Sequence, residues 1–488
     1  MHGSMSMNGS NDRQGNERSH RAATICLIAS LAVGMLAVAE CMVIAAPGDS
    51  VAVERRICRI EIVDAANGWP VPMVELRSNH HVRLVSDNAG VIALELPELM
   101  GVESWFTVIG HGYEVPRDGF GFQGIRLIPQ RGERIVIKLT RKLPAKRVGR
   151  LTGAGLYAES QKFGEYLDVQ ESRVFGCDSV QMTVHGGQRF WAWGDTTLGR
   201  YPLGRFHMTG AVSAGMPWGG YQPPIKPCYD IFRDDEGLPR NIGELPGDGP
   251  TWISGLASLP DKSGHPKMVG AYVKVHPPLE AYEAGLCVWD DREARFKRHR
   301  VLWRQGTDSG AMPPLPNGHG VTITDESGRK AVYFGDPFPH IRMEAAVESW
   351  ENPKSWETLS PQKTVRGING RDVEVHRGSI AWNPYRQRWI AVFTELGGEE
   401  SFLGSVWYAE SQRITGPWGA ATKVAVHTGY SFYNPHLHTD LSGVGPSVIF
   451  FEGTYASTFS GNQQPTPRCD YNQVLYRLDL DELGIATD

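Results

Sequence analysis

Asp178 and Asp195 stand at equal distances on either side of a Gly186-Gly187 pair, and no other pattern in the sequence is as suggestive of chemistry. The run CDSVQMTVHGGQRFWAWGDTTL, from Cys177 to Leu198, alternates strand-forming residues about that Gly-Gly step. Such a step is a two-residue hairpin signal of the I′ or II′ kind. If His185 faces Gln188, counting outward from the turn sets Asp178 directly opposite Asp195 at the open end of the hairpin. Opposed residues share one face of the sheet, with Cβ atoms about 4.5 to 5.5 Å apart. Two carboxyl groups held that close repel, so one should keep its proton well above the usual aspartate range while the other ionises. One protonated and one ionised carboxyl are what cleavage of a glycosidic bond requires. Like charges opposed across a sheet ordinarily cost up to about 1 kcal/mol, so the pair points to use rather than to stability. Taken singly, either aspartate can equally serve as a turn cap.

Comparable groups recur at equivalent places along the chain. Asp336 in YFGDPF has His319 on the facing strand, Glu395 in FTEL has His376 and Arg377, and Glu452 in FFEGTY has His436. Arg377 and Arg342 suit a substrate carboxylate or sulfate, or the neutralisation of neighbouring acids. Trp191, Trp193, Phe338, Trp382 and Tyr433 can stack on sugar rings, or pack between sheets. His80 and His81 are adjacent, and in a strand they would point to opposite faces; they read as a solvated strand end rather than a metal pair.

The elements that must position these groups are five recurring hairpins: residues 177–198, 252–275, 319–338, 377–396 and 435–455. Each is an apolar strand, a turn and an aromatic-rich strand, and the copies follow one another at intervals of roughly 60 to 75 residues. Second hairpins are expected in GLCVWDDREARFKRHRVLW, AVESWENPKSWETL and SVWYAESQRITGPWGAATKVAV. Four strands per unit make a propeller blade. The expectation is therefore an all-β protein with a five-bladed β-propeller over 150–485, whose inner hairpin ends converge on one funnel. Tyr157 to Ser160 echoes Tyr408 to Ser411, so a strand there is expected to close the ring against Gln473 to Asp479. A pair of irregular β-sandwiches is the alternative architecture.

Ahead of the repeats, 55–145 alternates short strands with turn chemistry at Asn67-Gly68 and Asn88-x-Gly90, which suits a small accessory β-sandwich. Residues 1–46 read as an export signal: a polar start bearing Arg13, Arg18 and Arg21, then an apolar stretch from Ala22 to Ala46 interrupted only by Glu40. Ala37 and Ala39 offer a small-residue cleavage site, Ala45-Ala46 a second, and an uncleaved membrane anchor is the alternative. Glu40 before Cys41 argues against lipidation. The expected location is outside the cell or in the periplasm and envelope, with membrane contact only through an uncleaved export segment. Of seven cysteines, Cys26 and Cys41 fall in that segment; Cys58, Cys177, Cys228, Cys287 and Cys469 are widely spaced, allow at most two bridges and form no zinc pattern.

The 488 residues carry a net charge of −5, with 21% charged and 41% hydrophobic residues. That balance argues against nucleic acid as a partner and against a disordered chain. The 56 glycines, 32 prolines and 14 tryptophans fit many short strands joined by turns. No P-loop, dinucleotide fingerprint, H-E-x-x-H or G-x-S-x-G is present, which sets aside nucleotide, zinc-protease and serine-hydrolase readings. No cofactor is expected, and no ligand pattern for a metal is seen.

The run WAWGDTTL after an Asp-Ser strand resembles the start of the endo-D-arabinanase type of propeller proteins. That resemblance implies catalytic roles for Asp178 and Asp195, although Gln181 stands where that strand pattern would have Ser. YAESQRITGPWG is similar to the A-x-S-x(4,5)-G-P-W signature of five-bladed arabinanase, xylosidase and fructosidase-like propellers, and it implies a fold rather than a chemistry. The segment 55–145 resembles transthyretin-like or carboxypeptidase-regulatory-like sandwiches. The three-acid layout of the arabinanase and xylosidase group is not found, because the second hairpin lacks an acidic inner end. The resulting expectation is an exported hydrolase acting on a polysaccharide through Asp178 and Asp195, with His319, Asp336, Arg342, His376, Arg377, Glu395, His436 and Glu452 lining the substrate funnel. Its rivals are a polysaccharide lyase using His and Tyr with Arg377 on a uronate, and a glycan-binding scaffold without turnover.

Overall fold

A computed structural model describes residues 56–200, 208–439 and 445–485, all of which belong to one compact unit, Gly48–Asp488. The expected export segment lies outside the described residues. What is described is nearly all β, with only single-turn helical pieces such as Val347–Trp350. No helix among the described residues is long and apolar enough to cross a membrane.

The first part of the chain forms two four-stranded sheets. In one, Cys58–Asp64 lies between Val91–Leu94 and a parallel partner, Arg134–Arg141, with Tyr113–Glu114 at the far edge; in the other, Glu75–Ser78 and Ser104–Ile109 are central. Alternation along Cys58–Asp64 puts Cys58, Ile60 and Ile62 inward, where they meet Leu76, Phe106 and Leu139 in a shared core. His80 and His81 sit on the turn leaving Glu75–Ser78 rather than in a strand, and His80 Nε2 faces Glu98 at 3.1 Å.

From Lys146 onward the strands fall into five antiparallel sheets. Four of the five expected hairpins are antiparallel strand pairs within their sheets, three of them with the first strand at a sheet edge: Thr251–Pro260 with Pro266–His276, His319–Thr324 with Lys330–Gly335, Asp372–Asn383 with Arg388–Glu395, and Ser431–His438 with Val448–Ala456. In the remaining one, Val180–His185 pairs with Gln188–Leu198 across Gly186 (φ 57°) and Gly187 (φ 79°). Positive φ at both central residues is the I′ turn, whose twist matches that of the flanking strands.

The inner strands of successive sheets run side by side, from Val180–His185 through Thr251–Pro260, His319–Thr324 and Asp372–Asn383 to Ser431–His438, which in turn lies against Val180–His185. Adjacent inner strands share no hydrogen-bonded ladder, so single stitches satisfy their backbone. Gln181 Oε1 accepts from Gly255 N (3.1 Å), Ser379 Oγ from Leu437 N (2.6 Å) and Thr454 Oγ1 from Ser179 N (2.8 Å). The Leu437 N–H is buried, and leaving it without an acceptor would cost about 1 to 3 kcal/mol.

Two expectations are corrected. The fifth sheet is completed by Lys146–Arg150, which pairs with Asn472–Asp479. Tyr157 is instead buried in a turn, its hydroxyl donating to Ile225 O, and Ser160 begins a 3-10 turn. The echo of Tyr408–Ser411 misled because the Tyr-Ala-Glu-Ser string says nothing about hydrogen-bond partners. Nor is AVESWENPKSWETL a hairpin: it holds the turn Val347–Trp350, a 3-10 turn at Pro353–Ser355, and a two-residue edge strand, Glu357–Thr358. Asn352 Oδ1 accepts from Lys354 N, and Pro353 fixes φ, so capping chemistry wins over alternation here.

Arg147, fully buried, ties the two parts of the chain together. Its guanidinium donates to Pro72 O (2.9 Å), Gly110 O (2.7 Å) and His111 O of the first part, and to Tyr476 Oη (3.1 Å) of the fifth sheet. All five cysteines among the described residues are free thiols, and only Cys228 is exposed.

Candidate active site

The register counted from the Gly-Gly turn is the register observed. Ladder pairs run from His185↔Gln188 to Val180↔Trp193 and resume at Cys177↔Thr196. Between them Gly194 N donates to Asp178 O (2.8 Å) and Asp178 N to Asp195 O (3.3 Å). Ser179, at φ 46°, lies with Asp178 at the break between Val174–Cys177 and Val180–His185. A left-handed non-glycine residue is strained, and such residues gather at functional sites. Asn434 (φ 53°) and Tyr471 (φ 60°) are two more, and both lie around Asp178. Asn434 Nδ2 donates to Ser179 Oγ at 2.6 Å, which pins the kink.

Both aspartates are half-buried. Burial, then the neighbouring charge of Asp195, pushes the Asp178 carboxyl up to about 7, against hydrogen bonds from the Tyr471 and Tyr433 phenols and the field of Arg377. The Tyr433 hydroxyl reaches Asp178 Oδ2 at 3.4 Å. Asp195 is also raised by burial, and the Trp252 indole N–H, donating to its Oδ1 at 3.1 Å, opposes that rise. Gly194 is required between them, because a Cβ there would run into Asp178 Oδ1. Of the two, Asp178 is the one raised by its neighbour's charge as well as by burial, so it is the carboxyl placed to keep its proton toward neutral pH.

Behind the pair lie groups from three other sheets. Asp336 accepts from Gly378 N (2.9 Å) and sits 3.5 Å from Arg377 Nε, so it fixes the base of an arginine whose side chain is 57% exposed. His376 is lowered to about 4 by burial and by Arg377, and its buried Nδ1 has no hydrogen-bond partner among the described residues. His319 is lowered by burial and by Arg377 and His438, against the pull of Asp336, and its ring meets that of His436 at 4.5 Å. His436, deeply buried, is lowered well below the usual range by burial and by those two histidines. It pairs across the ladder with Glu452, whose Oε1 meets His438 Nε2 at 2.9 Å. Among the described residues no three His, Cys, Asp or Glu side chains are arranged to hold a metal ion.

Two expected funnel residues are placed otherwise. Glu395 is buried with both oxygens engaged, by Trp407 Nε1 (2.9 Å) and Arg371 Nη1 (2.6 Å) within its own sheet. Arg342 pairs with Glu357 (2.8 Å) and donates to Tyr333 Oη (3.0 Å), on the strand next to the sheet edge. Alternation placed Glu395 at a strand end but did not specify which face it took, and Arg342 was expected for its chemistry alone. Of the five aromatic rings expected to stack on sugars, Trp191, Trp193 and Phe338 are buried packing, with Phe338 stacked on Trp418; Trp382 is exposed, against Trp389; Tyr433 is the one of the five that reaches the carboxyl pair. Sequence reasoning missed Trp252, Tyr471 and His438. Trp252 was visible as the first residue of the one hairpin that lacks an acidic inner end, whereas Tyr471 sits in a non-repeating loop with no signal.

No family model matches the chain, and no curated protein matches it. Solved structures do. An exo-1,5-alpha-L-arabinanase from a bovine ruminal metagenomic library aligns at 12% identity and TM-score 0.36, covering 62% of this chain and 93% of that one. The GH43_1 enzyme from Xanthomonas citri complexed with xylose aligns at 10% identity and TM-score 0.37, covering 65% and 91%. An exo-beta-1,3-galactanase from Clostridium thermocellum gives 10% identity and TM-score 0.37, over 68% and 62%. The overlap is one of sheet arrangement, and no residue role is carried across from it.

Proposed function

We propose that this chain is an exported glycoside hydrolase built on a five-bladed β-propeller, with 55–145 as an accessory β-sandwich, acting on a polysaccharide. Asp178 is the general acid, protonating the departing glycosidic oxygen. Asp195, ionised, is the nucleophile or the base that activates water. The observation that supports this reading is the opposition of two half-buried aspartates across one hairpin, where burial and the Asp195 charge push the Asp178 carboxyl up to about 7. Asp336 and Arg377 complete the mouth, and His319, His376 and the His436–Glu452 pair lie beneath it.

Incubation of the purified protein with a panel of polysaccharides, followed by product analysis, tests the reading. Hydrolysis products are expected, and Asp178→Asn and Asp195→Asn should each lower kcat by about 10³-fold or more with the fold intact. Retained activity in either variant refutes the assignment. One observation favours a lyase as the second reading: His376 is neutral at pH 7 with an unpartnered Nδ1 beside the exposed Arg377. An unsaturated product absorbing in the near ultraviolet from a uronate polymer would decide for it.

A further inference from the structure

The strands that carry the carboxyl pair continue beyond it. On the far side of the pair from the Gly-Gly turn, Val174–Cys177 still pairs with the end of Gln188–Leu198, through Cys177↔Thr196, Gly176↔Thr197 and Val174↔Leu198. That register skips Phe175, which is therefore the extra residue of a β-bulge. Bulges re-aim a side chain and gather beside active sites. The residue re-aimed here is aromatic and 53% exposed. Its ring lies over Gly199, where a Cβ would come within 2.9 Å of the ring edge, so glycine leaves the phenyl its place. Three residues of extended chain, about 10 Å, separate Phe175 from Asp178. The phenyl lines a cleft of about 360 Å³ together with Leu198 and Leu238, which are buried and half-buried, and with Arg173, Arg200 and Glu171, which are exposed. Arg200 is held by Glu236 at 3.0 Å, and Glu171 accepts from Gly155 N at 3.0 Å. Arg173, in the left-handed region at φ 62°, has a guanidinium with no hydrogen-bond or ion-pair partner among the described residues.

We propose that this cleft is a further subsite for a polysaccharide chain, in which a sugar ring remote from the scissile bond stacks on Phe175. The proposal rests on the reading of Asp178 and Asp195 as the reacting pair. Continuity names the occupant: the cleft is built on the same two strands as the pair, so a chain held between the carboxyls and running along those strands arrives at the phenyl. A single sugar does not cover that distance, whereas a short oligosaccharide does. The chemistry of the lining agrees. An exposed phenyl face leaves apolar area in water, and the C–H face of a sugar ring covers it. The free Arg173 fork donates to hydroxyls, and the Glu171 and Glu236 carboxylates accept from them. Phe175 is thus a binding residue that selects chains over short glycosides and takes no part in bond cleavage.

Affinity electrophoresis of the whole protein through gels containing arabinan, xylan, β-1,3-galactan or polygalacturonate tests this, with the Asp195→Asn variant run alongside so that binding is read without consumption of the polymer. At least one polymer should retard the protein. Phe175→Ala should weaken that binding about tenfold, the scale of one lost aromatic contact, and Phe175→Tyr, which keeps the ring, should restore it. Melting temperatures of the variants should match wild type, because the ring is more exposed than buried. On a polymer that is cleaved, Phe175→Ala should raise KM, while kcat/KM on an aryl monoglycoside too short to reach the cleft stays unchanged. Equal retardation of Phe175→Ala and wild type, or no retardation by any of the polymers, overturns the proposal. The two readings fail separately: binding that depends on Phe175 without cleavage removes the hydrolase and keeps the subsite, whereas cleavage unaltered in Phe175→Ala removes the subsite and keeps the hydrolase.

Discussion

Replacing Asp178 by Asn should make the protein more stable while silencing it, and the gain should grow with pH. Burial and Asp195 hold the folded-state carboxyl at about 7, above the usual 3.8. A group whose folded affinity for the proton is raised contributes its full share of stability below the unfolded value, and loses it as pH climbs through the folded value. At roughly 1.36 kcal/mol per unit, the complete penalty is about 4 kcal/mol, of which about 2 to 3 kcal/mol accrues between pH 5 and pH 8. Solvent reaching the half-buried pair reduces the part that is measurable to about 2 kcal/mol. Asparagine stays neutral and is close in shape to the protonated acid, so it carries no such penalty. Thermal or urea denaturation of the two proteins at pH 5, 6.5 and 8 checks this. Asp178→Asn should melt a few degrees above wild type at pH 8, and the difference should shrink toward pH 5. Parallel melting curves at all three pH values would refute the claim that this carboxyl is held protonated by its surroundings.

Removal of the like charge in Asp195→Asn should lower the Asp178 midpoint below about 7; titration of the carboxyl shows it, and an unmoved midpoint counts against the opposed geometry. Trp252→Phe takes the indole donor from Asp195, so the acidic limb of the pH–rate profile should move upward and the rate fall about tenfold. Gly194→Ala places a methyl against Asp178 Oδ1 at a backbone conformation alanine accepts, so the melting point should hold while activity drops about 10²-fold. Glu395→Ala leaves the Arg371 guanidinium and Trp407 indole without their acceptor, and should cost about 3 kcal/mol in denaturation with kcat of the folded enzyme unchanged.

The carboxyl pair was legible because its position follows from arithmetic about one turn. Gly186 and Gly187 accept positive φ, the count runs outward in steps of one pair, and Asp178 and Asp195 meet. The break at Ser179 did not spoil the count, since the strand resumes in register at Cys177↔Thr196. Strand pairs elsewhere were readable from alternation and turn residues for the same local reason. What sequence could not supply was long-range: Tyr471 O meets Cys177 N, next to Asp178, from the far side of the repeat region, and Lys146–Arg150 meets Asn472–Asp479. Glu395 and Arg342 failed differently. The strand of Glu395 was recognised, but a bulge between Val375 and Gly378 interrupts its ladder, whereas the strand Pro339–Glu344 that carries Arg342 was not anticipated, and Glu357 on the edge strand engages that guanidinium.

The pairing of Lys146–Arg150 with Asn472–Asp479 fastens the beginning of the repeat region to its end like a clasp. Bringing segments some 320 residues apart together costs about 5 kcal/mol of chain entropy, so the clasp shuts only when the last strand has been synthesised and its neighbours stand ready. Until then a nearly finished chain presents an open seam, and a truncation of even twenty residues at the far end would leave that seam permanently unsealed, however sound the preceding sheets.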